Sequence, residues 1–200
     1  MALLEPGFTV RADGPQAVGR LALSADPAVD QAVDAALAAT GWRVVPVSID
    51  ELDAFIAAAF TLLDSEAWAS NGDLAQAAPE KIGADVLARL RAASSIAPAE
   101  RAAAGQERTR WQAVLASLWD QVDVLAMPTL IEYPPTLENA AEMHRIRGLN
   151  VAVNFAGVPA LALPAPGAGP LPASVQLIGP PGSEEKLLAA GAQLEQATAG

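Results

Sequence analysis

Val18-Gly19-Arg20-Leu21-Ala22-Leu23, Ser24-Ala25-Asp26-Pro27, a run to Thr40-Gly41, and Trp42-Arg43-Val44-Val45-Pro46-Val47 form one continuous stretch, and its reading decides the fold. Val18 to Leu23 has the apolar character and short length of a strand. Asp26 then offers a side-chain oxygen to the free N–H groups of a helix start. Pro27 suits the first helical position, where its missing N–H would be unpaired anyway. Val29, Val33, Ala36 and Leu37 recur on one helical face. Gly41 closes that helix, because glycine adopts the left-handed conformation without a steric cost. Trp42 to Val47 is β-branched and apolar, so a second strand follows. Strand, helix and strand in that order generate a parallel pair, which places the chain in the α/β class.

On the N-terminal side, residues 1–17 carry Pro6, Gly7, Gly14 and Pro15 without a clear period, and they form an irregular lead-in. Residues 18–200 are expected to make one α/β domain, with a helical block over about 50–120. Ser48 and Glu51, three apart, have the form of a capping box. Behind them Leu52, Phe55, Ile56, Ala59, Phe60 and Leu63 keep helical spacing. Asn71-Gly72 marks a turn. A second helix is expected from near Pro79 to Ala93. A third starts near Pro98 and carries Trp111, Val114, Leu115, Leu118, Trp119 and Val122 inward. Asp123 to Thr129 is a strand, and a proline-rich loop, Leu130 to Leu137, follows it. Asn139 and Glu142 open a helix to about Phe155, closed by Gly157. Val158 to Leu163 and Ser174 to Ile178 are strands, separated by the loop beginning at Pro164. Ser183 caps a last helix, with Glu184 and Glu185 near its positive end.

Composition narrows the function classes. Over 200 residues, 52% are hydrophobic and 18% charged, with mean hydropathy +0.27, which excludes a disordered chain. The 12 basic and 23 acidic residues leave a net charge of −11. That charge repels phosphate backbones and anionic membrane surfaces, so neither nucleic acid nor membrane is an expected partner. There is no cysteine, and so no disulfide framework and no thiolate zinc site. Glu5, Pro6 and Arg11 interrupt any signal-like apolar run at the N-terminus. The longest apolar helical stretch, Leu52 to Leu63, has 12 residues and contains Asp53, too short for a span of about 20. The expected compartment is the cytoplasm.

Groups able to do chemistry are few. His144 is the only histidine, so a multi-histidine metal site is excluded. As a base it would need a nucleophile and an orienting acid beside it; as a surface histidine it needs nothing. Ser94-Ser95 is the only serine pair, with Lys81 upstream. A desolvated lysine can activate a serine, yet no glycines flank this pair to supply a tight turn and free backbone donors. Ordinary helix-end serines fit better. No phosphate loop, dinucleotide fingerprint or EF-hand spacing occurs. Read from residues alone, the chain shows a fold class and no catalytic residue, metal ligand or cofactor-binding motif.

Four segments, in order, carry a resemblance. They are Asp123-Val124-Leu125-Ala126-Met127-Pro128-Thr129, the stretch Asn154-Phe155-Ala156-Gly157-Val158-Pro159 through Pro164, Pro172 through Gly179, and the helix ending near Leu194-Glu195. Together they resemble the C-terminal part of the amidase-signature family of amide hydrolases. The unit Asp26 to Val47 resembles the segment that follows that family's signature region. The resemblance implies a mixed β-sheet flanked by helices, equivalent to the C-terminal part of an α/β/α amidase-signature domain. It implies no cofactor. Thr129, Asn154 and Gln176 fall on matching positions as substrate-pocket or structural residues. Asn150 and Asn154, four apart, share a helix face.

The family's catalytic machinery is a Ser-cisSer-Lys triad set in a glycine- and serine-rich signature. These 200 residues contain no Gly-Gly-Ser-Ser sequence and no second candidate lysine in a strand. No catalytic residue is carried over. The expected function is therefore the C-terminal part of an amide hydrolase, giving scaffold and one pocket wall, and inactive alone. Its expected partner is a separate N-terminal amidase segment, or another copy of itself. A small amide would be a substrate only after such complementation. The alternative is a non-catalytic α/β interaction or ligand-binding module, a degenerate amidase.

Overall fold

Asp26 starts the first helix as its sequence suggests. Its carboxylate accepts the Ala28 N–H at 2.8 Å, and Pro27 occupies the first turn. The resulting helix α1 spans Pro27–Ala39, and Gly41 follows it at φ 74°. The computed structural model of the chain describes residues 13–142, 148–167 and 171–199. The lead-in before residue 13 and His144 therefore lie outside the described residues. Strand β1 (Ala17–Leu21) and strand β2 (Arg43–Val47) flank α1 in sequence and pair in parallel, Ala17 opposite Arg43 and Leu21 opposite Val47.

Three further strands complete the sheet. They are β3 (Val124–Pro128), β4 (Ala160–Ala165) and β5 (Ala173–Ile178). The order is β2-β1-β3-β5-β4. β3 runs parallel to β1, whereas β5 runs antiparallel to both β3 and β4. The sheet is thus mixed. β3 is buried along its whole length, as befits a central strand covered on both faces.

Among the described residues the remaining α-helices are α2 (Leu52–Ala77), α3 (Ala84–Ala93), α4 (Pro98–Trp119), α5 (Gly148–Ala156) and α6 (Glu184–Thr198). The chain forms two compact units, Met1–Asp50 with Val114–Gly200, and Glu51–Ala113. In the sheet unit, alternate strand residues Val18, Val124, Ala126, Leu163, Val175 and Leu177 form one core with residues of α1 and α6. Burying each valine or leucine side chain contributes about 1.5–3 kcal/mol. Arg20 ties β1 to α1 by reaching Asp30 at 2.7 Å and Asp34 at 2.8 Å. Gly191 lets α6 lie close to β4, since a Cβ there would come within 2.6 Å of the Leu161 side chain. In the helical unit, Phe55 and Trp111 stack with ring centroids 5.0 Å apart. Asp64 and Arg89 pair at 2.7 Å.

Several local expectations are corrected. Asn71-Gly72 is not a turn; α2 runs through it. Ser48 forms no capping box, because Glu51 itself occupies the N-cap and its carboxylate pairs with Arg110. Pro79 opens a single 3-10 turn, Pro79–Lys81, and the helix proper begins at Ala84. Asn139 lies in a 3-10 segment, Leu137–Glu142, with a non-helical kink, and does not open an α-helix; α5 is described over Gly148–Ala156. The strand expected over 158–163 runs from Ala160 to Ala165, which puts Pro164 inside it. Ser183 precedes α6 without a capping bond, its hydroxyl donating to the Pro180 carbonyl at 2.6 Å instead.

Candidate functional site

β3 ends at Pro128, whose ring has no N–H to continue a ladder. Thr129 nevertheless adds one rung: its N–H donates to the Ser174 carbonyl at 2.8 Å. That rung brings the two hydroxyls together, Thr129 Oγ1 and Ser174 Oγ at 2.8 Å. Ser174 Oγ also lies 3.1 Å from the Leu163 carbonyl oxygen. A carbonyl only accepts, so Ser174 is the donor where it meets Leu163, whereas either hydroxyl can donate in the Thr129–Ser174 pair. The loop after Thr129 is held at its other side by Asp26, whose N–H donates to the Ile131 carbonyl at 2.7 Å.

These contacts frame a cleft of about 120 Å³, lined by Thr129 and Ser174 and by Val29, Tyr133 and Pro172 among others. Tyr133 contributes its ring. Its hydroxyl is buried and has no hydrogen-bond partner among the described residues. Gly167 leaves room for that hydroxyl, because a Cβ at residue 167 would come within 3.1 Å of its oxygen.

Gln176 lies two residues beyond Ser174 on β5, opposite Met127 and Ala162. Side chains two apart share a sheet face. Its amide oxygen is buried without a partner among the described residues, as is that of Asn150. Asn154 is exposed, and its carbonyl accepts the Gly157 N–H at 3.1 Å, so it helps to end α5. Of the three residues singled out in the sequence, then, only Thr129 lines this cleft, and neither Gln176 nor Asn154 lines it or the larger cavity described next. Ser174 and Tyr133 were missed. Ser174 could be found only by knowing which residue of β5 faces Thr129, and that depends on register.

The larger cavity, about 670 Å³, sits at the other end of β3, lined by Gln16, Asp123, Ser183 and Lys186 among others. Asp123 accepts the Gln16 and Ala17 N–H groups at 2.9 and 3.0 Å and meets the Lys186 ammonium at 3.1 Å. Burial alone would raise its pKa. The Ala17 and Gln16 N–H groups, with Lys186, outweigh burial and hold the carboxyl below its ordinary value.

Ser94 and Ser95 behave as helix-end serines, their hydroxyls donating to Arg91 and Ala92 carbonyls at 2.6 and 2.8 Å. Lys81 is exposed on its 3-10 turn. Among the described residues no cluster of three His, Cys, Asp or Glu side chains could hold a metal ion. None of their helices is long and apolar enough to cross a membrane.

The family profile for amidases matches residues 18–188. The chain belongs to the amidase family. An amidase from Pseudomonas putida is 29% identical over 188 residues, covering 86% of this chain and 40% of the relative. A glutamyl-tRNA(Gln) amidotransferase subunit from Thermus thermophilus is 36% identical over 96 residues, covering 46% of this chain and 20% of the relative. Among solved structures, a chain of an inhibitor-bound vestigial protein complex, linked to the origins of an s-triazine catabolic enzyme, superposes with TM-score 0.80 at 24% identity. It covers 91% of this chain and 43% of its own. The mixed sheet with flanking helices is therefore the amidase-signature fold. The chain spans about two fifths or less of the length of these relatives.

Proposed function

We propose that this amidase-family chain serves as the C-terminal part of an amide hydrolase, supplying scaffold and one wall of the substrate pocket. The reaction adds water across a carboxamide C–N bond, giving a carboxylic acid and ammonia or an amine. The serines and lysine that cleave the bond reside on a separate segment. One observation carries the reading: the family match runs over residues 18–188, whereas the solved relative is covered for only 43% of its length. Three of the serines support it. Ser94 and Ser95 give their protons to backbone carbonyls, and Ser174 meets only the Leu163 carbonyl and the Thr129 hydroxyl. None of them has a base beside it in these contacts, so none is an activated nucleophile.

The test is an ammonia-release assay on a panel of small amides. The purified chain alone is expected to release no ammonia above the blank. Co-expressed with an amidase segment bearing a lysine and a Gly-Ser-Ser-rich stretch, it is expected to turn over. Turnover by the chain alone, lost on substitution of one of its own residues, overturns the proposal. A stable pair with no turnover on any amide favours the non-catalytic binding module.

A further inference from the structure

Helix α2 carries two apolar faces. One is used within the helical unit: Phe55, Ala58 and Ala59 are buried, and Phe55 stacks on Trp111. The other consists of Ile56, Phe60, Leu63, Ala67, Ser70 and Leu74. Its steps of four, three, four, three and four residues are the spacing of a coiled-coil seam. None of the six is buried, and Leu63 and Leu74 are 42% and 44% exposed. The order of these side chains is self-complementary. Laid antiparallel on a second copy, with a two-fold axis at the level of Ser65, Ile56 faces Leu74, Phe60 faces Ser70 and Leu63 faces Ala67. Two of these pairings set a large side chain against a small one, which lets facing helices interdigitate.

We propose that this face of α2 is a self-association surface, along which two copies of the chain pair antiparallel over residues 56–74. Charge at the axis selects a copy over another apolar partner. Asp64 and Arg89 border the seam beside Phe60, with the guanidinium 5.6 Å from the centre of its ring. Arg89 Nε and Nη2 both approach Asp64 Oδ1 at 2.7 Å. Oδ2 and Nη1 take no hydrogen bond among the described residues. The axis lies within one residue of Asp64, so it sets the two ion pairs against each other, each Arg89 beside the Asp64 of the second copy. An acceptor and a donor offered together are matched by the same pair turned round, whereas an apolar segment leaves both unmet. On the other flank exposed Glu66 meets its own counterpart, a like-charge contact that lowers the affinity. The seam is about 27 Å long, and one helix on one helix falls short of a standard interface of about 1,600 Å². The pairing is therefore weak and shows only at high concentration. It involves no amide chemistry and stands apart from the hydrolase reading.

Sedimentation equilibrium of the full chain at rising concentration reads the pairing. Leu63→Glu and Ala67→Lys, made on separate chains, are each expected to weaken it at least about ten-fold, because an unpaired charge is pressed into an apolar seam. Neither residue is buried, so the circular dichroism spectrum of each variant is expected to match that of the unaltered chain. Mixed one to one, the two variants are expected to recover the pairing, since residue 63 of one copy faces residue 67 of the other. A chain that stays monomeric up to its solubility limit overturns the inference. So does association that neither substitution changes, or a mixture that pairs no better than its components. A complementary amidase segment is then added to the unaltered chain and to the Leu63→Glu variant. Equal binding to both is expected. Binding that Leu63→Glu abolishes would assign the seam to that segment and end the proposal.

Discussion

Asp123 shows how one side chain closes a fold far from any chemistry. It stands just before β3 and takes up the N–H groups of Gln16 and Ala17, which open β1, while Lys186 reaches it from the first turns of α6. The carboxylate thus pins two strand starts and one helix. Its side chain is 32% exposed and that of Lys186 41%, so solvent screens the ion pair and most of the effect comes from the backbone bonds. A carboxyl whose pKa is lowered by folding stabilises the native state above the ordinary carboxylate range, near pH 4. That stability drains as pH falls through the lower folded value, because the unfolded chain binds the proton more readily. Asp123→Asn is expected to cost about 1–2 kcal/mol at pH 7 and to narrow the gap to the unaltered chain as pH drops towards 3. Urea unfolding at several pH values checks this; a gap that stays constant with pH refutes it. Thr129 was legible in the sequence because Pro128 announces the end of a strand. Ser174 was not, because its partner sits 45 residues away and is chosen by register.

At the scale of elements, what the sequence disclosed depended on whether a signal was local. Asp26, Pro27 and Gly41 act within a few residues, and α1 forms where they place it. Asn71-Gly72 is a local signal that packing overrides. The Asn71 amide donates to the Ala67 carbonyl at 3.0 Å, and the absent Gly72 side chain makes room for the Trp68 indole, 3.1 Å from where a Cβ would stand. Helix α2 therefore continues. The two edge strands share a device that only topology reveals. On β2, the Arg43 N–H donates to Gln16 and the Val47 carbonyl accepts from Ala22, so Val44 and Pro46 turn their backbone groups outward. On β4, the Gly179 N–H donates to Pro159, which sets Ala160, Ala162 and Pro164 outward. Each proline thus sits where its missing N–H costs no bond inside the sheet and removes one from the free edge. The double variant Pro46→Val with Pro164→Val is expected to keep its circular dichroism spectrum and to form larger species in light scattering as concentration rises. Scattering identical to that of the unaltered chain would show that the edges are guarded by something else.

On the scale of the whole molecule, the proposed role has a thermodynamic consequence. A chain that shares its fold with a second segment leaves apolar surface in water when alone. Among the described residues Val44 is 40% exposed, Val86 50% and Leu137 93%. Single exposed apolar residues are common on any protein. Here they accompany a sheet whose two edge strands, β2 and β4, lie open among the described residues. Both features favour association. The chain by itself is expected to elute as an oligomer or to melt early and broadly. Because a partner that binds only the folded form stabilises it by mass action, a complementary amidase segment at about 100 times its Kd adds roughly 2.7 kcal/mol. For a chain of this size each kcal/mol is worth about 2–4 °C, so the melting temperature is expected to rise by about 5–10 °C. The oligomer should meanwhile give way to a one-to-one complex in light scattering. A compact monomer with a sharp transition, indifferent to the added segment, would mean that these residues satisfy their own surface. The family fold would then have been kept for a role that needs no second half.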